Sequence, residues 1–288
     1  MTGNGEQFAS DERVGVARRR TPWGLAVVAA LFVIVPFLYW YGTWFGRELS
    51  DEQIEEYLTK DDNPRHAQHA LSQIAQRIEE RRPGAERWNQ RVVALAESPV
   101  TDLRMTAAWV MGAEHTSEEF RAALLKLLTD AEPVVRRNAA LALVRFGDAR
   151  ARPELLAMLR PYSVKSPATG KALTVLTVGA EVNRESMLAR IERADGGVAE
   201  VRSPLPGKIE AASVREGDRV EEGGELFVLA TESEHARDAL IGLYYFGEAE
   251  DLPEIERFAG GVAGMSEEVK RQAALTAAAV TRRAAAKD

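Results

Sequence analysis

The chain of 288 residues contains no cysteine and only four histidines. The first absence excludes disulfides, thiol nucleophiles and cysteine-built zinc sites, and permits an oxidising compartment without requiring one. Basic residues are outnumbered, 37 Lys and Arg against 44 Asp and Glu, for a formal charge of −7. No clustered positive surface of the kind that holds phosphates is expected, so nucleic acid is excluded as a partner. There is no Gly-x-Ser-x-Gly elbow, no phosphate-binding loop and no His-Glu-x-x-His. Without cysteine, a nucleophile would have to be Ser, Thr, Lys or a carboxylate beside a base. No catalytic residue and no cofactor is assigned. His66 and His69 share a helix face by their i, i+3 spacing and would hold a metal only with Asp61, Asp62 or another carboxylate close by. A wet helix surface accounts for them, and no metal site is assigned. His115 and His235 fall at predicted loops or helix starts, where capping or exposure accounts for them.

Long hydrophobic runs are also scarce, with one exception. From Trp23 to Phe45 the chain runs 23 residues without a charge, about 35 Å as a helix against a hydrocarbon core of about 30 Å. Trp23 stands at one end and Tyr39, Trp40, Tyr41 and Trp44 at the other, as in aromatic belts. The stretch is too long for a signal-peptide core and is read as a single N-terminal transmembrane helix over residues 22–46, kinked at Pro36. Arg18, Arg19 and Arg20 precede it, and an acidic juxtamembrane segment, residues 47–62, follows. The arginines place residues 1–21 in the cytoplasm and the bulk of the chain in the periplasm, a single-pass inner-membrane topology.

The remainder has two internal repeats of different kinds. Val164-Lys165-Ser166-Pro167-x-x-Gly170-Lys171 returns 37 positions on as Val201-Arg202-Ser203-Pro204-x-x-Gly207-Lys208. Each copy continues into a glycine turn and a hydrophobic strand, Val178-Gly179-Ala180-Glu181-Val182 with Leu188 and Glu216-Gly217-Asp218-Arg219-Val220 with Leu226. Short alternating apolar runs between Ser-Pro, Pro-Gly and Gly-Gly describe strands joined by tight turns. Gly217 and Gly223 fall where such turns require positive φ. On these paired half-motifs residues 162–231 resemble the biotinyl/lipoyl domain family, which implies an all-β barrel-sandwich hybrid. In carriers of that family the cofactor lysine sits at the tip of the hairpin between the halves. Here the tip is Asp195-Gly196-Gly197, a good tight turn with no lysine to modify. Lys171 and Lys208 read as solvated strand positions. Membrane fusion proteins share the fold and also lack the modified lysine, but insert a long helical hairpin that is missing between Ile191 and Val201.

The second repeat is helical. Leu103-Arg104-x-x-Ala107-Ala108 returns at an offset of 32 as Val135-Arg136-x-x-Ala139-Ala140, and Phe146-Gly147-Asp148-Ala149 returns at 100 as Phe246-Gly247-Glu248-Ala249. Periods near 30 to 47 residues mean an α-solenoid. The string from Asp130 to Leu143 resembles HEAT or PBS-lyase HEAT-like repeats. Asn63 before Pro64, Thr116-x-x-Glu119, Thr231-x-x-Glu234 and Ser266 are predicted helix starts. Arg81-Arg82 and Arg136-Arg137 are placed at helix ends or on solvated faces, Tyr244-Tyr245-Phe246 in the core, and the Gly260–Gly264 run in an inter-repeat loop.

The expected architecture is thus an α-helical solenoid of HEAT-like repeats, residues 63–161 and 232–288, with the β domain inserted as a knob on its edge. The expected function is a non-enzymatic, membrane-anchored scaffold whose solenoid and knob bind other membrane or periplasmic proteins, as an accessory of a transport complex. The alternatives are a PBS-lyase-like enzyme, which the repeat resemblance implies only by fold, a degenerate lipoyl-type carrier, and an insert that is a mere spacer. No small-molecule ligand is assigned.

Overall fold

The structure, a computed structural model, describes residues 23–44, 48–59 and 63–286. The chain divides after Glu48 into two units. In the first, the uncharged run is a helix, α1, Trp23–Trp44, with Pro36 inside it. Its described side chains between Val27 and Leu38 are solvent-exposed and apolar, Phe32 at 78%. Among the described residues no helix is long and apolar enough to cross a membrane. The transmembrane helix expected over residues 22–46 is thus not shown by the described residues. Arg18 to Arg20 lie outside the described residues.

The second unit begins with α2, Asp51–Thr59, and α3, Pro64–Glu79. Residues 47–62 are therefore only partly the acidic tether expected from composition. Ile54, Tyr57 and Leu58 recur at helical spacing; Ile54 is fully buried and the other two pack on the solenoid core. The acids are taken up as well. Asp51 accepts from Arg77 Nη1 at 2.5 Å and from Arg87, and Glu55 accepts from Arg91 Nη2 at 2.8 Å. The solenoid starts near Leu49.

It continues through α4, Asn89–Leu95, α5, Thr101–Met111, α6, Glu118–Leu127, α7, Pro133–Arg145, and α8, Arg152–Met158. After the β insert come α9, Ser233–Phe246, α10, Leu252–Ala259, and α11, Glu267–Ala285. Helices α3, α5, α7, α9 and α11 stack side by side in one layer. Alanine makes that possible: Ala107, Ala108, Ala139 and Ala140 are fully buried, and a Cβ at Gly112 would lie 3.0 Å from that of Ala142. One hydrophobic core runs unbroken from Leu49 to Val280.

Asn63 caps α3 through Arg65 N, with Pro64 at the first position, and Ser266 caps α11 through Val269 N. Two predicted caps fall elsewhere. Ser117, not Thr116, caps α6 by accepting from Phe120 N, while Thr116 is held by Glu114. Helix α9 begins after Glu232 with no side-chain cap, and the Thr231 hydroxyl is buried without a hydrogen-bonding partner.

The insert has eight strands: β1, Tyr162–Lys165, β2, Gly170–Val175, β3, Glu181–Val182, β4, Met187–Glu192, β5, Val198–Arg202, β6, Gly207–Ala212, β7, Arg219–Val220, and β8, Glu225–Leu229. They form two four-stranded antiparallel sheets, ordered β1-β8-β6-β3 and β5-β4-β2-β7. Replacing each strand by its counterpart in the other half turns one order into the other. The bonds repeat too. Gly179 N donates to Ile209 O and Gly217 N to Ala172 O, each at 2.8 Å. Ser166 Oγ donates to Ala168 O at 2.7 Å and Ser203 Oγ to Leu205 O at 2.5 Å. Gly217 and Gly223 have φ of 92° and 78°, as the turns demand. Both sheets face one core that includes Ile191, Val201, Ile209 and Phe227.

Tyr162 pairs with Leu229 across β1 and β8, so the chain enters and leaves the insert side by side. The solenoid closes up beneath it. Helix α8 packs on α9, and Arg152 Nε and Nη2 donate to Asp251 at 2.7 and 2.8 Å across the interruption. The insert keeps a core of its own and touches the solenoid at a few points. Arg184 pairs with Asp102 in the first turn of α5, and Val134 in the first turn of α7 packs on the insert's core.

Candidate functional site

The tip of the β4–β5 hairpin has the turn expected of it. Arg193 N donates to Gly197 O at 2.8 Å, Gly197 N to Asp195 Oδ1 at 2.9 Å, and Gly196 has φ of 81°. Asp195 lies 3.6 Å from Arg193 Nε. The tip is exposed and offers a charged surface rather than an acylable amine. Lys171 and Lys208 are exposed strand residues, and only Lys208 belongs to a cleft.

The histidines scatter. His66 stacks on Tyr57 at 4.6 Å, and His69 shares a 3.1 Å contact with Gln73. Asp61 and Asp62 lie outside the described residues, and among the described residues no three His, Asp or Glu side chains gather as metal ligands. His115 is exposed. Tyr245 is 59% exposed, so the aromatic trio is only partly core. Gly261 and Gly264 take φ of 97° and 81° in the loop after α10.

That loop forms one wall of a cleft of about 1150 Å³. The opposite wall is the insert, from Val178 through β3 and the start of β6, and the base is the junction Ala230–Glu234 where the chain re-enters the solenoid. Phe258, Val262, Met265, Val182 and Ile209 supply apolar surface; Glu181, Glu210, Glu232 and Glu234 supply carboxylates. The cations there are Lys208 and Arg257, and Arg257 already donates to Glu254 Oε1 at 2.6 Å and to Leu159 O at 3.0 Å.

Beside this junction lies a seam of buried charge. Arg137 on α7 is 7% exposed, contrary to the expectation of a solvated face. Around it stand Glu154 on α8, Tyr162 on β1, and Glu232 and His235 at the start of α9. Burial depresses the Arg137 pKa, with Glu154 opposing. Burial raises that of Glu154, against the pull of Arg136, whose Nε is 3.3 Å away. Burial, then the Arg137 charge, lowers His235. Its Nδ1 sits 3.2 Å from Glu232 Oε2, at an angle that makes no hydrogen bond. His235 is thus largely covered, not an exposed helix-start residue. A signal for the seam exists in the repeat: Arg137 occupies the position that Met105 holds 32 residues earlier, a cation where the periodicity calls for an apolar side chain.

Fold and site together define a helical HEAT-like solenoid carrying a separate antiparallel-sheet domain. Residues 89–169 match the family of HEAT repeats. No curated protein matches the sequence. Among solved structures the chain is similar to the complex of CpcE and CpcF of phycocyanin lyase from Nostoc sp., at 16% identity and a TM-score of 0.45, covering 83% of this chain and 68% of that one. It is also similar to a single-chain, multi-domain long-chain acyl-CoA carboxylase, at 16% identity and a TM-score of 0.24, covering 35% and 11%. Neither likeness is close enough to carry a function across.

Proposed function

We propose that this protein is a non-enzymatic scaffold of the cell envelope, whose solenoid and β insert form one binding platform for other membrane or periplasmic proteins. The observation that carries this reading is the docking of the insert. Arg184 on Asp102, Val134 in the insert's core and the buried Arg137 tie the two parts into a continuous surface. Solenoids present extended surfaces suited to partner proteins.

The insert itself is proposed to be a barrel-sandwich hybrid of the biotinyl/lipoyl type, on the strength of the strand-for-strand exchange between its sheets. Its hairpin tip has no acceptor for biotin or lipoate, and an intact-mass measurement on native protein should return the unmodified mass. Residues 22–46 are proposed to anchor the chain, with residues 1–21 cytoplasmic and the remainder periplasmic. The chain has no cysteine, so a single Glu97→Cys reporter labelled by a membrane-impermeant maleimide in intact cells checks the topology; labelling only after lysis would refute it.

The scaffold reading is tested by affinity purification from gently solubilised membranes. Stoichiometric partners should co-purify. A chain that migrates alone at native expression level would overturn the proposal.

A further inference from the structure

We infer that the cleft between the insert and the α10–α11 loop receives an extended peptide segment of a partner protein, rich in basic and apolar residues, laid alongside β3. This rests on the scaffold reading and adds the chemistry of the partner and the place where it binds.

Four observations point the same way. The cleft, at about 1150 Å³, exceeds the roughly 300–1,000 Å³ typical of small-molecule sites, and it is an open trough rather than an enclosed chamber. Its charge is one-sided. Glu181, Glu210 and Glu234 are exposed carboxylates with no ion-pair partner among the described residues, and Arg257 is spent on Glu254 and a main-chain carbonyl. Only Lys208 is left to oppose them. Apolar surface is available as well: Val178 stands 57% exposed on the wall and Val262 and Met265 are half-buried in the loop opposite, with Phe258 and Ile209 packed beneath. Finally, β3 is only two residues long but is the outermost strand of its sheet, paired with β6 on one side only, and the chain around it from Val178 to Asn183 lines the cleft. An outer strand carries unpaired main-chain donors and acceptors and is a template for an added strand. Alternating side chains of such a strand would meet the apolar surface and the carboxylate rim in turn. An acidic or uncharged segment would gain the main-chain bonds but not the electrostatic match, and electrostatic complementarity is what selects partners at such a surface.

The probes are two fluorescent decapeptides, one alternating Lys and Val and one alternating Glu and Val, titrated by anisotropy into the detergent-solubilised full chain. The Lys-Val peptide should bind and the Glu-Val peptide should not, and added salt should weaken binding because the contacts are exposed. The double variant Glu181→Lys/Glu210→Lys changes only exposed positions; it should keep its circular dichroism and weaken the Lys-Val peptide by about tenfold. A photo-crosslinking benzoylphenylalanine in place of Val178 should capture that peptide. Equal binding of the two peptides, or an unchanged affinity in the double variant, would overturn the inference. So would self-association abolished by Glu181→Lys/Glu210→Lys, which would make a second copy of this chain the occupant. Failure of the scaffold reading looks different: the Lys-Val peptide still crosslinks at Val178, while native purification yields the chain alone.

Discussion

The solenoid and the β insert share one chain but are held by different means. The solenoid is fixed by side chains. Its buried polar residues are Arg137, Asp148, Asp251 and Thr276, and arginine–aspartate pairs recur from repeat to repeat: Arg104 on Asp130, Arg121 on Asp148, Arg152 on Asp251. The insert is fixed by its backbone. Its buried polar residues are only Ser166 and Ser203, each turned back onto a carbonyl two residues on, and its turns are set by glycines. Charge should therefore govern the stability of one region, and Cβ atoms that of the other.

The largest test of that contrast is Asp148→Ala. Asp148 is 4% exposed and accepts from Arg150 Nη2 at 2.6 Å and from Arg121 Nε at 2.8 Å. Its removal forfeits charge-assisted hydrogen bonds from two arginines and the bond from Arg150 N, charged bonds being worth about 1.5–3 kcal/mol each. Arg121 and Arg150 are 36% and 59% exposed and rehydrate, so a loss of about 3 kcal/mol in all is expected, read as the urea midpoint by circular dichroism. A loss below about 1 kcal/mol would class the pair with surface bridges. The Arg150 hydrogen bonds hold the Asp148 pKa well below the usual carboxylate range, burial opposing. At Asp130 burial works upward, but the Arg104 bonds outweigh it and the pKa is again lowered. Both depressed carboxylates contribute stability above their unfolded pKa, near 3.8, and lose it as pH falls through the folded value. The solenoid should thus be the acid-labile region.

A pair of glycines compares the regions directly. At Gly170 on β2 an added Cβ would lie 2.2 Å from Glu192 O, a main-chain atom in the ladder; at Gly242 on α9 it would lie 2.6 Å from Leu155 Cδ1, the end of a side chain. Val144 Cγ2 lies 2.9 Å away as well and Leu155 is fully buried, so about 2 kcal/mol of crowding is set against about 1 kcal/mol of helix propensity that alanine gains over glycine. Gly170→Ala is expected to cost about 3 kcal/mol and Gly242→Ala about 1 kcal/mol or less. Equal losses would remove the distinction between backbone-set and side-chain-set regions.

Where the regions meet, both rules apply, and pH separates them. His235 has its pKa lowered by burial and by Arg137. The unfolded chain therefore takes up the proton first, and stability drops as pH falls below about 6.5. Glu154, raised by burial, acts in the opposite sense: its contribution is full below its unfolded value of 4.5 and is lost as pH rises through the folded one. Because Glu154 is unchanged in His235→Gln, the difference between that variant and the parent isolates the histidine. The parent should lose more stability than the variant between pH 7.5 and 5.5, and parallel losses would sink the idea of a charge-sensitive seam.

What the sequence made legible was what is local. Asn63 before Pro64, Ser266, the alanine pairs at 107–108 and 139–140, the glycine turns and the hairpin tip depend on neighbours within a few residues, and they stand where the pattern puts them. The two misplaced caps, Thr116 and Thr231, are local too, but a second serine or glutamate beside each took the position. The seam and the cleft were not legible in the same way. They require segments far apart in the chain to meet, as Arg184 meets Asp102 across 82 positions, and a repeat offset does not say which face an insertion will cover. Arg137, out of step with Met105, carried a sign of the seam, but beside Arg136 it read as part of a solvated face.

The smallest expected effect compares the two halves of the insert. Gly223 and Glu185 hold matching places: each donates its N–H to the carbonyl of the opposite half's serine, Gly223 to Ser166 at 2.9 Å and Glu185 to Ser203 at 2.8 Å. Their φ angles are 78° and 67°. The left-handed conformation costs a non-glycine residue roughly 1–2 kcal/mol, and only the first half of the insert bears that cost. Glu185 recovers little of it, since its carboxylate is exposed and pairs with Arg184 at 3.3 Å, a contact of negligible worth in water. Glycine in its place loses more freedom on folding, by about 0.5–1 kcal/mol. The balance favours Glu185→Gly by up to about 1 kcal/mol, while Gly223→Glu should cost about as much as it relieves. Opposite signs in the two substitutions would establish that the halves are equivalent in backbone and unequal only in residue. Matching signs would mean that Glu185 is retained for a contact of its side chain, and the kinship of the halves would stop at their strand order.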